Sequence, residues 1–156
     1  MPKTPLAAGR VFEVVPFLGV RDILRSLDFY VATLGAAIDL EWVVDGRIRW
    51  CRLRIGKAAM MLQEFGAGRA PAEALGAGQS VNFTCRDALA LYDAARAAGL
   101  EPIREPQVGN GLWELSYRDP DGYHINFASP TDLTEELLLS TYRSGEATAP
   151  EKSAPG

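Results

Sequence analysis

Residues 118–127 read Arg-Asp-Pro-Asp-Gly-Tyr-His-Ile-Asn-Phe, a tight turn that runs into an alternating strand. Asp-Pro-Asp-Gly contains the residues that a reverse turn prefers, because proline presets one φ angle and glycine accepts a positive one. The strand carries the only histidine of the chain, His124, and strand alternation places Asn126 on the same face. This stretch therefore predicts a β-strand that presents an imidazole and an amide side by side.

The chain upstream of this turn shows the same order of elements twice. The first set is a strand at 10–20, a helix from Asp22 to about Leu34, and strands at 38–44, 47–55 and 58–65. The second set is a strand at 80–85, a helix at 87–98, and strands at 101–105, 112–118 and 123–128. Arg21-Asp22 recurs as Arg86-Asp87, 65 positions later. The repeat predicts an α+β protein built of two tandem βαβββ units.

The predicted organisation has six segments along the chain. They are a loose N-terminus (1–9), a first unit (10–65), a linker rich in Gly, Ala and Pro (66–78), a second unit (79–130), a C-terminal helix (131–143) and a disordered tail (144–156). Within the C-terminal segment, Asp132 and Glu135 have the spacing of a capping box, which predicts that the helix begins near Thr131.

Composition excludes several classes of function. The 156 residues are 47% hydrophobic and 23% charged, so the chain can bury a core. A net charge of -4 argues against a nucleic-acid or anionic-membrane binder. The N-terminus lacks the apolar run of a signal peptide, and no segment approaches the roughly 20 apolar residues that cross a bilayer. Cys51 and Cys85 form no C-x-x-C pair, and a reduced cytoplasmic setting is expected.

Three segments of this repeated pattern resemble the vicinal oxygen chelate superfamily, which includes glyoxalase I, extradiol dioxygenases and bleomycin-resistance proteins. The segments are Val15-Pro-Phe-Leu-Gly-Val-Arg-Asp22, Ser26-Leu-Asp-Phe-Tyr30 with Leu34-Gly35, and Arg118-Asp-Pro-Asp-Gly-Tyr123. The resemblance covers about residues 10–130. It implies the paired βαβββ fold, and it does not select an activity, because this fold carries many.

The resemblance also implies where a catalytic metal would be held, at four strand positions that carry His, Glu or Gln in the metal enzymes. In this chain those positions are matched to Val15, Leu62, Ser80 and Asn126. Two aliphatic side chains, a hydroxyl and an amide are a poor ligand set for a divalent cation. The pattern argues against a metal enzyme, and no cofactor is expected. The alternative is a divalent metal at a shifted site made of Glu64, His124 and Glu13.

A metal-free pattern is most similar to the bleomycin-resistance proteins of this superfamily. That likeness implies a homodimer which sequesters a small aromatic, antibiotic-like molecule without chemical change. A metal-dependent lyase, isomerase or dioxygenase, and a metal-free enzyme with His124 as acid or base, are the alternatives. Nucleic acid and membrane are not expected as partners.

A sequestering cleft needs apolar and aromatic area with a few polar groups. The candidate ligand-binding residues are Phe17, Trp42, Trp50, Asn82, Trp113, Glu114, His124 and Asn126. The three tryptophans fit a stacking role in the cleft, and they fit a filling role in the core equally well. The arginine-rich strand with Arg47, Arg49, Arg52 and Arg54 fits either a solvated strand or an anchor for an anionic ligand.

Overall fold

The computed structural model describes residues 11–146, and its strands form two four-stranded mixed sheets. The predicted loose N-terminus (1–9) and residues 147–156 of the predicted tail (144–156) lie outside the described residues. In the first unit the elements are β1 (Phe17–Val20), α1 (Ile23–Leu27), which continues as a π-helix over Asp28–Thr33, β2 (Ala37–Val44), β3 (Arg47–Ile55) and β4 (Ala58–Glu64). In the second unit they are β5 (Ser80–Thr84), α2 (Ala88–Ala97), β6 (Gln107–Gly109), β7 (Leu112–Arg118) and β8 (His124–Pro130), followed by α3 (Leu139–Ser144).

The two sheets have the same topology, which confirms the tandem βαβββ prediction. The strand orders are β1-β4-β3-β2 and β5-β8-β7-β6. In each sheet the first strand pairs in parallel with the last, and the other pairs are antiparallel. The register makes Phe17 the partner of Met61 and Asn82 the partner of Asn126. Strands that correspond in the sequence repeat therefore occupy the same position in their respective sheets.

Local signals place the helices and the first hairpin. The Asp22 carboxylate accepts hydrogen bonds from the backbone N–H groups of Leu24 and Arg25, and Asp87 accepts one from Ala90. Both aspartates satisfy donors that the first turn of a helix leaves free. Asp45 and Gly46 have φ angles of 50° and 74°, the positive values that a two-residue hairpin turn requires.

Buried side chains lie on the helix-facing side of each sheet. The largest include Tyr30, Leu53 and Met60 in the first unit and Tyr117 and Phe127 in the second. The opposite side of both sheets has no layer packed on it within the described residues, and there the strand side chains are half-buried or exposed. We call this side the open face.

The two units are joined along a polar seam. The hydroxyl of Tyr30 donates to the Asp119 carboxylate at 2.8 Å, and the hydroxyl of Tyr123 donates to the carbonyl oxygen of Gly19 at 2.9 Å. The backbone N–H of Arg21 donates to Asp121 at 3.2 Å. The Asp-Pro-Asp-Gly turn thus serves the contact between units as well as its own hairpin.

Three predicted elements have different bounds. The first strand begins at Phe17, because Pro16 has no N–H to donate to a ladder. No strand forms at 101–105, where Pro102 and Pro106 interrupt the pairing, and β6 follows at 107–109. The third element is the C-terminal helix, whose predicted start at Thr131 is wrong.

The C-terminal helix begins at Leu139, eight residues later than the predicted start at Thr131. Glu135 does not close a helix turn: its carboxylate accepts hydrogen bonds from the backbone N–H groups of Asn110 at 2.8 Å and Gly111 at 2.7 Å. Residues 131–138 therefore run as an irregular segment beside β6, and α3 covers Leu139–Ser144.

Candidate functional site

The open face of the second sheet carries three rows of mostly polar side chains. The strand register places Ser80, His124 and Arg118 in one row, Asn82, Asn126 and Ser116 in the next, and Thr84, Ala128 and Glu114 in the third. Because strand side chains alternate, these residues share one face, while Phe83, Leu115, Tyr117 and Phe127 point into the core. His124 and Asn126 lie on the same face of β8, as the sequence predicts.

A chain of hydrogen bonds runs across the middle of this face. The Asn126 Nδ2 donates to Asn82 Oδ1 at 2.8 Å, and the Asn82 Nδ2 donates to Ser80 Oγ at 3.1 Å. Asn126 Oδ1 is buried and has no hydrogen-bond partner. A buried acceptor without a partner is uncommon, because its lost hydration is not compensated. We call the side chains of Ser80, Asn82 and Asn126 the amide row.

The amide row borders a cavity of about 430 Å³. Asn82, Asn126 and Ser116 line one side, and Glu114 and Arg104 line another. The Glu114 carboxylate lies 3.3 Å from the Arg104 guanidinium, so the acidic group already has a cationic partner. The cavity thus presents neutral hydrogen-bonding groups beside an internally balanced ion pair. Its volume lies in the range of small-molecule sites.

A second cavity of about 460 Å³ lies between β1 and β5. Phe17, which is 55% exposed, contributes its ring to this cavity together with His124 and Ser80. The structure therefore brings Phe17 and His124 together across the two units. It places Asn82, Glu114 and Asn126 in the neighbouring cavity.

The three tryptophans have different environments. Trp113 is 5% exposed and packs against the Tyr142 ring with centroids 5.5 Å apart, so it fills the core. Trp42 is 55% exposed and lines a cavity of about 660 Å³ with Arg47, Arg49 and the 66–70 loop, away from the amide row. Trp50 is half-buried on β3, where it alternates with buried Cys51. Of the two roles that the sequence allows for Trp113, core and cleft, the structure shows the core.

The match of a metal position to Leu62 is wrong by one residue. Leu62 is fully buried on the helix-facing side, in register with Leu18. Met61 is the residue that pairs with Phe17 on the open face, as Asn126 pairs with Asn82. The four positions therefore read Val15, Met61, Ser80 and Asn126, and the side chains remain poor ligands for a hard divalent cation.

The alternative metal site of Glu64, His124 and Glu13 is not assembled. Glu64 shares the helix-facing side with Leu62, whereas His124 lies on the open face of the other sheet. Glu13 forms an ion pair with Arg52 at 2.8 Å. Across residues 11–146, no group of three or more His, Cys, Asp or Glu side chains is placed to hold a metal ion.

Glu64 has a structural environment. Its carboxylate accepts a hydrogen bond from the Ile23 N–H at 3.0 Å and forms ion pairs with Arg47, at 2.7 Å, and Arg49. Burial alone would raise the pKa of Glu64, but the Ile23 hydrogen bond and the two arginines outweigh it and lower the pKa below its usual value. Glu64 therefore stabilises the start of α1 against β3 and β4.

The Glu64→Gln variant is expected to lose about 1–2 kcal/mol of unfolding free energy near pH 7, because two ion pairs lose their anion. The folded pKa is lowered, so this stabilisation is present above the unfolded pKa, about 4.3, and is lost as pH falls through the folded value. Urea denaturation at about pH 7 and about pH 3.5 tests this. The unfolding free energies of the variant and the wild type should converge at the lower pH. An equal difference at both pH values would contradict the assignment, and Glu73→Gln at an exposed site is the control.

Neither cysteine has the setting of a nucleophile. Burial raises the pKa of the Cys51 thiol to about 11, and burial also raises the pKa of Cys85. Both side chains are therefore neutral thiols at physiological pH.

Ser116 and Arg104 complete the site and were missed in the sequence. Ser116 follows Glu114 by two residues on β7, so strict alternation from Glu114 would have found it. Arg104 lies in the irregular segment before β6, where no periodic signal applies. Its position depends on the fold and on the Glu114 ion pair.

Comparison with known proteins places the chain in a family. The profile of the Glyoxalase/Bleomycin resistance protein/Dioxygenase superfamily matches residues 11–127, and the chain belongs to that superfamily. No curated protein sequence matches the chain. Within the described residues, no helix is long and apolar enough to span a membrane.

Three solved structures illustrate the similarity of fold. TioX from Micromonospora sp. ML1 is 23% identical with a TM-score of 0.61, over 77% of this chain and 99% of that one. TnmS3, an antibiotic binding protein from Streptomyces sp. CB03234, is 18% identical with a TM-score of 0.59, over 77% and 98%. A bleomycin resistance determinant encoded on the transposon Tn5 is 19% identical with a TM-score of 0.61, over 77% and 98%.

Proposed function

We propose that this protein binds a small planar organic molecule of antibiotic type on the open face of its second sheet and releases it unchanged. The observation that carries the proposal is the amide row, two of whose members, Ser80 and Asn126, are matched by the resemblance to positions that hold metal ligands in the metal enzymes of the superfamily. Ser80 and Asn126 offer neutral hydrogen-bonding groups there, next to a cavity of about 430 Å³. Such a lining suits recognition by hydrogen bonds and apolar contact.

The similar structures support the class of ligand. One of them is described as an antibiotic binding protein and another as a bleomycin resistance determinant. The proposed site consists of Asn82, Asn126, Glu114 and the neighbouring pair of Phe17 and His124. Trp50 belongs to the corresponding open face of the first sheet, and its indole can stack on a planar ligand.

We also propose that two copies of the chain pair to close the site. The open faces are solvent-exposed in a single chain, and most of the large exposed apolar side chains belong to the first unit. They are Val11, Phe12, Val14, Phe17, Leu24, Ile38, Leu40, Trp42 and Val43. Large exposed apolar patches mark interaction sites. Light scattering after gel filtration is expected to give twice the mass of 16.9 kDa, and a monomer at all concentrations would contradict the pairing.

Titration with metal-free bleomycin is expected to show saturable binding with a dissociation constant in the micromolar range or tighter. The physical reason is the apolar and hydrogen-bonding area of the cavity, which a planar ligand group covers. Isothermal titration calorimetry measures the binding, and mass spectrometry of the recovered bleomycin tests whether it is chemically unchanged.

Two results would overturn this proposal. One is the absence of binding of bleomycin and of other aromatic cationic antibiotics. The other is a chemically altered product, which would favour an enzyme, and His124→Ala would then be expected to abolish turnover. Elemental mass spectrometry of protein purified without chelator is the companion measurement, because near-stoichiometric metal retained through gel filtration would support the enzyme alternative.

A further inference from the structure

The amide row ends in an atom that lacks a partner. Asn126 gives its Nδ2 hydrogens toward Asn82, while its Oδ1 is buried without any hydrogen bond, and the residue is one of those that line the cavity. Leaving a buried acceptor unpaired is unfavourable, and such an atom calls for a donor that binds there. The cavity beside it has room for that donor to be part of a ring.

A hydroxyl stands next to this acceptor on the neighbouring strand. Ser116 is directly opposite Asn126 in the β7–β8 register, and both line the same cavity. Side chains opposite each other on one face of an antiparallel pair lie about 4.5–5.5 Å apart at Cβ. Among the described residues, the Ser116 Oγ has no hydrogen bond, so it is available to a ligand as donor or acceptor. The two groups together present a donor beside an acceptor.

The amide row fits a ligand edge that carries both a hydrogen-bond donor and a hydrogen-bond acceptor. If Asn82 and Asn126 both turn over, Ser80 donates its hydroxyl to Asn82, and Asn126 presents N–H in place of oxygen. Ser116 can then accept where it previously donated. A ligand edge with one donor and one acceptor side by side matches both arrangements, whereas an edge with only one function matches one of them.

Charge favours a neutral edge. The nearest acidic group in the cavity, Glu114, is paired with Arg104, and the amide row itself has no charge. A ligand carboxylate would place its oxygens against the Asn126 oxygen without a donor there. A neutral amide avoids that repulsion and supplies the missing N–H.

We propose that this cavity recognises the cis-amide edge of a planar lactam, with the lactam N–H donating to Asn126 Oδ1 and the lactam carbonyl accepting from the Ser116 hydroxyl. This inference rests on the proposed small-molecule function and names the chemical class that the site selects. It assigns Ser116 as a binding residue and Asn82 and Ser80 as positioning residues.

The probes are quinolin-2(1H)-one and its N-methyl derivative, which differ only in the N–H donor. Calorimetric titration of the wild-type dimer or monomer, as purified, is expected to show the lactam binding at least about fivefold more tightly than the N-methyl compound. This comparison needs no variant. Equal binding of the two probes, or binding of neither, would overturn the inference.

Variants separate a hydrogen bond from a steric effect of the methyl group. Asn126→Leu keeps a similar volume without an acceptor, and it is expected to abolish the preference for the lactam. Asn126→Asp keeps an acceptor, since Asn82 can turn to donate to it, and it is expected to retain the preference. Ser116→Ala should weaken lactam binding about threefold to tenfold. Thr84→Val, which alters another residue lining the same cavity, is the matched control and should leave the preference intact.

The outcomes distinguish this inference from the broader function. A preference that persists in Asn126→Leu would show a steric origin and overturn the inference. If bleomycin binds while the two quinolinones bind equally, the lactam assignment fails and the binding function stands. If neither bleomycin nor the lactam binds, both proposals fail.

Discussion

Replacing Asp119 by alanine is expected to lower the free energy of unfolding by about 3–5 kcal/mol. The Asp119 side chain is 4% exposed. One carboxylate oxygen accepts from the backbone N–H groups of Asp121 and Tyr123, both at 2.9 Å, and the other accepts from the Tyr30 hydroxyl at 2.8 Å. Alanine leaves these donors without their partner in a region closed to water. Urea denaturation measures the loss.

Tyr30→Phe is the matched control, because it removes only one of the hydrogen bonds between the units, the one from the Tyr30 hydroxyl to Asp119. The turn keeps both of its backbone bonds to Asp119, so the expected loss is about 1–2 kcal/mol. Equal losses in the two variants would show that the turn bonds contribute nothing. A loss in Tyr30→Phe as large as 3–5 kcal/mol would instead place most of the stabilisation in the contact between units.

The pH dependence of the Asp119 effect follows from its burial. Burial raises the pKa of Asp119, and the hydrogen bonds from Tyr30, Tyr123 and Asp121 offset this only in part. A raised folded pKa means that the contribution of this group to stability is fully present below the unfolded pKa, near 3.9, and declines as pH rises through the folded value. The difference between wild type and Asp119→Ala should therefore narrow as pH rises. A constant difference would contradict this.

The elements that the sequence predicts well are those with local causes. Asp22 and Asp87 cap helices by bonding backbone N–H groups two or three residues away, and Asp45-Gly46 supplies the positive φ angles of its own turn. Each of these signals is complete within a few residues. The duplication then fixes the topology, because two copies of one pattern fold in the same way.

The misplaced elements have non-local causes. Glu135 has a good capping-box spacing, but its carboxylate accepts hydrogen bonds from the backbone N–H groups of Asn110 and Gly111, 25 and 24 residues earlier in the chain. The sequence also does not predict which residues of β4 face the core, because Met60, Met61 and Leu62 are consecutive apolar residues and alternation cannot distinguish inward from outward among them. Only the pairing of Met61 with Phe17 resolves the register.

The candidate site was predictable in part. Alternation around His124 and Asn126 gave the correct face of β8 and led to Asn82 on β5, because both strands are short and regular. The residue types of the amide row, however, do not reveal how the hydrogen bonds are shared. That Asn126 Oδ1 is left without a partner depends on the spacing of β5, β8 and β7 in three dimensions.

Gly76→Ala is expected to destabilise the fold by about 2–4 kcal/mol, from backbone strain and a clash together. Gly76 has a φ of +74°, and a Cβ there would lie 2.6 Å from Tyr123 Cδ1 and 3.0 Å from Tyr123 Cα. The Tyr123 ring cannot easily move away, because the Tyr123 hydroxyl donates a hydrogen bond to the Gly19 carbonyl oxygen and the Tyr123 backbone N–H donates one to the Asp119 carboxylate. Thermal or urea unfolding gives the magnitude.

Gly78→Ala isolates the backbone part of this effect. Gly78 has a nearly identical φ of +72°, and a Cβ at that position would have no heavy atom within 4 Å. Its expected cost is about 1 kcal/mol, from the left-handed conformation alone. The excess in Gly76→Ala then measures how firmly Tyr123 is held at the seam between the units. Equal losses in the two alanine variants would mean that Tyr123 shifts freely, and the seam would not be the rigid support that positions His124 beside Phe17.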